Sequence, residues 1–203
     1  DSSFFGHGVS DESTMARALE DILPNTRVIN AGIPGYSTEQ TKRLLDEVIW
    51  DLDPTLLVVG NFWSDNNFES YRDKDLFATR EVQTSAVLVQ SAFLRWLATA
   101  LSGLRTDNKA RIVTWVRGGE LPKADHRRVE LADYMSNLDS IIRSAASRDV
   151  GVLLISPPAK VEVEAIHDPP HQWGVYRERQ REVAKHHSIP HVDATQRFYA
   201  AHR

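Results

Sequence analysis

Thr55-Leu56-Leu57-Val58-Val59-Gly60-Asn61 is the stretch on which the fold turns. An unbroken aliphatic run this short, closed by glycine and asparagine, does not alternate as a strand with one wet face does. It reads as a strand buried on both faces, the signature of a parallel sheet. Working outward, Ser37 with Gln40 three residues on forms a capping box that opens a helix. Leu44, Leu45, Val48 and Ile49 are its expected buried face, and Asp51 to Pro54 end it. Before it lies Arg27-Val28-Ile29-Asn30-Ala31-Gly32, read as a short strand running into the glycine loop Gly32-Ile33-Pro34-Gly35-Tyr36. Ser10 to Leu23 carries Met15, Ala18, Leu19 and Ile22 at helical spacing, with Asp11 and Glu12 suited to its first turn.

Downstream the rhythm repeats. Val129 to Ala146 has Leu131, Tyr134, Met135, Leu138, Ile141, Ile142 and Ala145 on one helical face. Val150 to Ser156 is a buried strand stopped by Pro157-Pro158, Val175 to His187 a helix, and Ile189 to Ala194 the last strand. Alternating strand and helix predict the α/β class, a three-layer α/β/α, flavodoxin-like parallel sheet. The 203 residues suit a single domain, 1–203. Phe68 to Ala124 does not fit the alternation, so 68–124 is expected to be a helical insertion after the third strand. Within it Ser85 to Leu104 is apolar but interrupted by Gln90 and Arg95, short of the roughly 20 mostly apolar residues of a membrane span. It is expected to be a packed or lid helix. Arg111 to Val116, which includes Trp115, is an extra strand or part of the same lid.

Charge and composition narrow the function. The net charge is −4 with no basic stripe, which argues against a nucleic-acid partner. There is no cysteine, which excludes disulfides and thiolate metal sites. No metal or cofactor is expected. A nucleotide-binding flavodoxin-like domain would want a phosphate-cradling loop, and neither Gly-x-Gly-x-x-Gly nor a Walker pattern is present. The compartment stays open: an export signal upstream, and an exported or envelope-associated location, are compatible with the abrupt start.

Chemistry concentrates in three loops. Asp1-Ser2-Ser3-Phe4-Phe5-Gly6-His7-Gly8 reads as a strand-to-helix turn that exposes a serine hydroxyl where ligands bind in open α/β sheets. Taken alone, it reads first as a frayed terminus followed by a plain glycine turn. Gly35 lies in the second loop, and Phe62-Trp63-Ser64-Asp65-Asn66-Asn67 is the third.

Together these blocks resemble the SGNH (GDSL-type) hydrolase superfamily, whose marks are a Gly-Asp-Ser turn, a glycine, a Gly-x-Asn-Asp loop and a late Asp-x-x-His. Asn30-Ala31-Gly32-Ile33-Pro34-Gly35-Tyr36-Ser37-Thr38 is similar to the second block, and Asp1-Ser2-Ser3-Phe4-Phe5-Gly6 to the first without its leading glycine. The resemblance implies Ser2 as nucleophile, with the Ser2 and Gly35 N–H groups and a third-block side chain as oxyanion donors. Ser64 stands where the family has asparagine and Asp65 matches its aspartate; Asn61 is expected to assist, and Asn66 is a further amide. Asp168-Pro169-Pro170-His171 has the spacing of the late pair but precedes the last strand, so a pair beyond Arg203 is the alternative. His7 is a further neighbour of Ser2. The family's first strand is not in the chain, so a segment completing the sheet is expected. The implied activity is that of a serine ester hydrolase or acyl transferase on an O-acyl lipid or glycan ester. The alternative is a catalytically silent domain that binds a glycan or acyl ligand, or acts as a scaffold.

Overall fold

The computed structural model describes residues 2–77, 125–158 and 172–201. The Ser85–Leu104 helix, the Arg111–Val116 segment and the Glu162–Gly174 loop with Asp168 and His171 all include residues outside this set. The chain divides into two compact units after Asn67 and before Arg128. In the second, β2 (Phe68–Glu69) and β3 (His126–Arg127) form a short antiparallel ladder, and the Arg127 guanidinium lies 5.3 Å from the Phe68 ring centroid.

The first unit is a mixed α/β domain with a parallel sheet flanked by helices. Its order is α1 (Ser2–Phe5), α2 (Met15–Ile22), α3 (Thr38–Leu44), β1 (Leu56–Val59), α4 (Trp63–Asn66), α5 (Leu131–Ala146), β4 (Gly151–Ser156), α6 (Gln172–His186), β5 (His191–Asp193) and α7 (Ala194–Ala201). The three strands pair in the order β1-β4-β5, with Leu57 opposite Val152 and Ile155 opposite Val192. Helix α5 packs against α3 and α6, and both α5 and α6 lie on β4. Tyr134, Leu138, Ile141, Ala145, Leu154 and Tyr176 form the centre of the core. All but Leu154 and Tyr176 come from one face of α5, as its 3.6-residue period requires.

Four local expectations are corrected. Arg27–Gly32 forms no strand: no ladder joins it to β1, and both line one cavity. The first helix starts at Met15 rather than near Ser10, since Thr14 caps it by accepting the Arg17 N–H. After Leu44 the third helix widens to a π turn over Leu45–Ile49 and tightens to a 3₁₀ turn over Trp50–Leu52 before Asp53 ends it at φ 49°. The wider turn puts Leu45 and Ile49 in the core and leaves Val48 45% exposed. Finally, α7 follows the last strand directly, and Asp193 caps it by accepting the Thr195 N–H at 3.1 Å.

Candidate active site

Three parallel strands put their carboxyl ends on one edge, and the predicted loops meet there. Ser2 opens α1, so its N–H has no acceptor inside the turn; its carbonyl accepts the Gly6 and His7 N–H groups and closes the turn. The turn is set down on two glycines. A Cβ on Gly60, the residue after β1, would stand 1.8 Å from Phe4 Cε2, and one on Gly32 would stand 2.4 Å from the Phe5 nitrogen. Asn30 Nδ2 donates to the Phe5 carbonyl at 3.1 Å, and its Oδ1 accepts the Gly32 N–H. The first block is thus in direct contact with the second and with the residue that follows β1.

The second loop is a turn closed by the Tyr36 N–H on the Ile33 carbonyl at 3.2 Å, with Pro34 and Gly35 at its centre. Gly35 has φ +78°, and proline followed by a glycine at positive φ is the type II pattern. Among the described residues, nothing lies within 4 Å of where its Cβ would be. Dihedral demand, not crowding, requires glycine here. Arg128, itself nearly buried, clamps the turn: Nη1 donates to the Gly35 carbonyl at 2.8 Å and Nη2 to Gln40 Oε1 at 3.0 Å. The same Gln40 oxygen accepts the Ser37 N–H and completes the capping box foreseen from the sequence.

The third loop is a helical turn rather than an open loop. Asp65 is fully buried, and its Oδ1 accepts both the Thr38 N–H at 2.8 Å and the Thr38 hydroxyl. Asn137 Nδ2 donates to Thr38 Oγ1, and Lys42 Nζ donates to Asn137 Oδ1 at 2.9 Å. A chain of polar contacts therefore ties the third block to the second and both to α5. Ser64 lies in the first turn of α4, 5% exposed. Asn61 is otherwise engaged: its Nδ2 donates to the Tyr36 carbonyl at 3.2 Å and to Thr41 Oγ1 at 3.0 Å, which uses both amide hydrogens. These bonds make Asn61 a strut between the end of β1 and α3. The Tyr134 hydroxyl donates to the Asn61 carbonyl at 2.7 Å, and burial pushes that phenol well above its usual pKa.

No described histidine bonds the Ser2 hydroxyl. His7 contributes its backbone N–H to the α1 turn and exposes its side chain. His187 Nε2 lies 2.7 Å from Asp139 and joins α6 to α5. His191 Nε2 lies 2.9 Å from Ser156 Oγ, which donates its proton to Gln180 Oε1, so the imidazole serves Ser156 as donor and does not activate it. Asp168 and His171 lie outside the described residues, and so does Asp1. Among the described residues no group of acidic or histidine side chains forms a metal cage, and no helix is long and apolar enough to cross a membrane.

Sequence reasoning missed Arg128, Arg177 and Asn137. Arg177 gathers the strand ends: its Nη2 donates to the Pro157 carbonyl at 3.4 Å, its Nε lies 3.6 Å from Asp193 Oδ1, and its guanidinium carbon is 5.5 Å from the Phe62 ring centroid. Only Asn137 left a trace in the sequence, a polar residue in the apolar face that runs through Tyr134 and Leu138. Nothing local distinguishes Arg128 or Arg177 from surface arginines.

No family model and no curated protein matches the chain. Among solved structures it is similar to an acetyl xylan esterase, AlAXEase, at 12% identity and a TM-score of 0.49. The match covers 84% of this chain, which spans 60% of that protein's length.

Proposed function

We propose that the protein is a serine ester hydrolase or acyl transferase of SGNH type, with Ser2 as the nucleophile. The observation that carries the reading is the meeting of the Ser2 turn, the Gly35 turn and the Ser64–Asp65 turn at the carboxyl edge of a parallel sheet. Attack of Ser2 Oγ on an ester carbonyl develops charge on the carbonyl oxygen. The Ser2 N–H, the Gly35 N–H and the Ser64 hydroxyl are the donors assigned to that charge, and fixed donors of this kind are worth roughly 3–4 kcal/mol each. His171 takes the Ser2 proton and returns it to the leaving alcohol, while Asp168 orients the ring and stabilises the imidazolium. Water or an acceptor alcohol then releases the acyl group from Ser2. The substrate class read from the apolar composition of the 68–124 insertion is a lipid or glycan acyl ester.

The test is labelling by a fluorophosphonate probe, read by mass spectrometry on this chain and on Ser2→Ala and His171→Ala. The expected result is a label on Ser2 that is lost in His171→Ala. A label that survives His171→Ala moves the general base elsewhere. A folded sample that takes no label at all supports the second reading, a catalytically silent binding domain.

A further inference from the structure

At residue 128 a main-chain hold on one block meets a side-chain hold on another. The Arg128 N–H donates to the Asn67 carbonyl at 2.9 Å, and the Val129 N–H donates to the Asp65 carbonyl at 3.0 Å. Both acceptors lie in the 62–67 block that carries Ser64. The Val129 carbonyl accepts the hydroxyl of Tyr176, a fully buried side chain of α6, so this stretch of backbone is anchored in the core. The Arg128 side chain reaches the other block, where Nη1 holds the Gly35 carbonyl and Nη2 holds Gln40 Oε1. Gly35 needs such a hold. It is exposed, and the space where its Cβ would stand is open, so packing does not locate it. Two further bonds between the blocks land beyond the turn: Asp65 holds Thr38, and Asn61 Nδ2 holds the Tyr36 carbonyl.

We infer that Arg128 is a positioning residue of the oxyanion hole: it yokes the Gly35 turn to the Ser64 turn and so sets the spacing of the two donors. This rests on the reading of Gly35 and Ser64 as those donors. An oxyanion forms at one point, and a donor serves it only when it stands about 2.7–3.1 Å away. Two turns that drift independently meet that condition together only part of the time. One arginine that holds the first turn by its side chain and the second by its backbone makes them move as a unit. The residue type fits the task, because a planar guanidinium fork fixes direction as well as distance where an ammonium fixes neither. Arg128 acts on the donors, through the Gly35 carbonyl, and not on the ester itself. Charge on the carbonyl oxygen develops only in the transition state, so the spacing of its donors governs the rate at saturation and leaves reversible binding of the ester unchanged.

The experiment reads Arg128→Lys in two ways on the intact chain. The first is fluorophosphonate labelling at Ser2 over a range of probe concentrations. The saturating rate is expected to fall about tenfold while the half-saturating concentration stays within about twofold. Combined with Ser64→Ala, the loss is expected to be smaller than the product of the two single losses, because a hole with one donor out of place has less to lose at the other. The second reading is amide hydrogen exchange. Tyr36, whose N–H closes the Gly35 turn, and Asn66 and Asn67, whose N–H groups close the Ser64 turn, are expected to exchange faster together, by about threefold or more, with Leu138 unchanged. A labelled parent whose saturating rate survives Arg128→Lys overturns the inference. So does a loss confined to half-saturation, which would make Arg128 a binding residue, or single losses that simply multiply. Faster exchange at Tyr36 alone would make it a brace of one turn, and faster exchange that extends to Leu138 would make it a brace of the whole fold; either overturns the yoke. A parent that takes no label fails the reading of the donors and not the yoke: faster exchange at both turns then keeps the yoke, and exchange changed at one turn or neither removes it.

Discussion

The two flanks of β1 are built to different standards. Toward β4, the strand is laddered, and α3, α5 and α6 enclose side chains with no exposure at all: Tyr134, Leu138, Leu154 and Tyr176. Buried polar groups on that flank, such as Asp65, Thr38 and Asn137, have partners. Toward residues 2–33, neither α1 nor α2 has a buried residue, and Ile22 is 73% exposed. The site lies on the seam. Gly35, Ser64 and their braces belong to the rigid flank, and Ser2 to the loose one. An oxyanion hole must be preorganised to be worth anything, and in the proposed site Gly35 and Ser64 are better fixed than Ser2.

The sharpest way to break this contrast is a matched pair of truncations. Leu138→Ala is expected to cost about 3–4 kcal/mol, because it opens a cavity in an interior that cannot collapse. Ile22→Ala is expected to change stability by less than about 0.5 kcal/mol, as at an ordinary surface position. Urea unfolding of both variants measures this, and similar costs for the two would erase the distinction between the flanks. Next in size is Asp65→Ala, expected to cost about 2–3 kcal/mol by leaving the Thr38 N–H and hydroxyl without their acceptor in a buried place. Its unfolding midpoint should fall while Ile22→Ala stays near the parent.

Two changes at the Gly35 turn separate bracing from folding. Arg128→Lys keeps the charge but replaces a planar fork with a single ammonium, which is not matched to bridge the Gly35 carbonyl and Gln40. The expected result is a fall of about tenfold in the rate of fluorophosphonate labelling at Ser2, or ~1.4 kcal/mol of barrier. An unchanged rate would show that the turn holds its shape without Arg128. Gly35→Ala is smaller in stability, about 1–2 kcal/mol, the cost of a Cβ at positive φ. The space around Gly35 is open, so a cost well above this would mean that crowding matters after all.

Much of the rigid flank was legible in the sequence because its signals are local. The aliphatic run at 56–59, the Ser37–Gln40 capping box and the face from Tyr134 to Ala145 each state their own structure within a few residues. The loose flank was misread for the same reason. Val28-Ile29-Asn30 has strand composition, but a strand needs a neighbour, and composition does not say whether one is beside it. The π turn at Leu45–Ile49 escaped because a helical period is assumed before it is counted, and that assumption put Val48 inside. At the site, glycine and serine positions could be read from their spacing. Arg128 and Arg177 could not, since their partners are 93 and 20 residues away in the chain and are backbone carbonyls, which carry no sequence signature.

The smallest effect probes the far end of the rigid flank through pH. Burial holds the His191 imidazole below its ordinary pKa of 6.5, with Asp193 pulling it up and Arg181 and Arg177 pushing it down. A histidine that is harder to protonate when folded binds fewer protons in the native state than in the unfolded chain. Its stabilising contribution is therefore complete above about pH 6.5 and is lost as pH falls from there through the lowered native value. Asp139 has the same sign in a different window. Burial alone would raise its carboxyl, but the hydrogen bonds from His187 and Arg143 outweigh burial and hold it below 3.8, so its contribution fades only under more acid conditions. Unfolding midpoints measured between pH 8 and pH 5 should thus decline below pH 6.5 in the parent and decline less in His191→Gln. Equal slopes in the two would mean that the bond of His191 to Ser156 does not depend on its charge, and that the end of β5 is held instead by the pairing of Asp193 with Arg181 and Arg177.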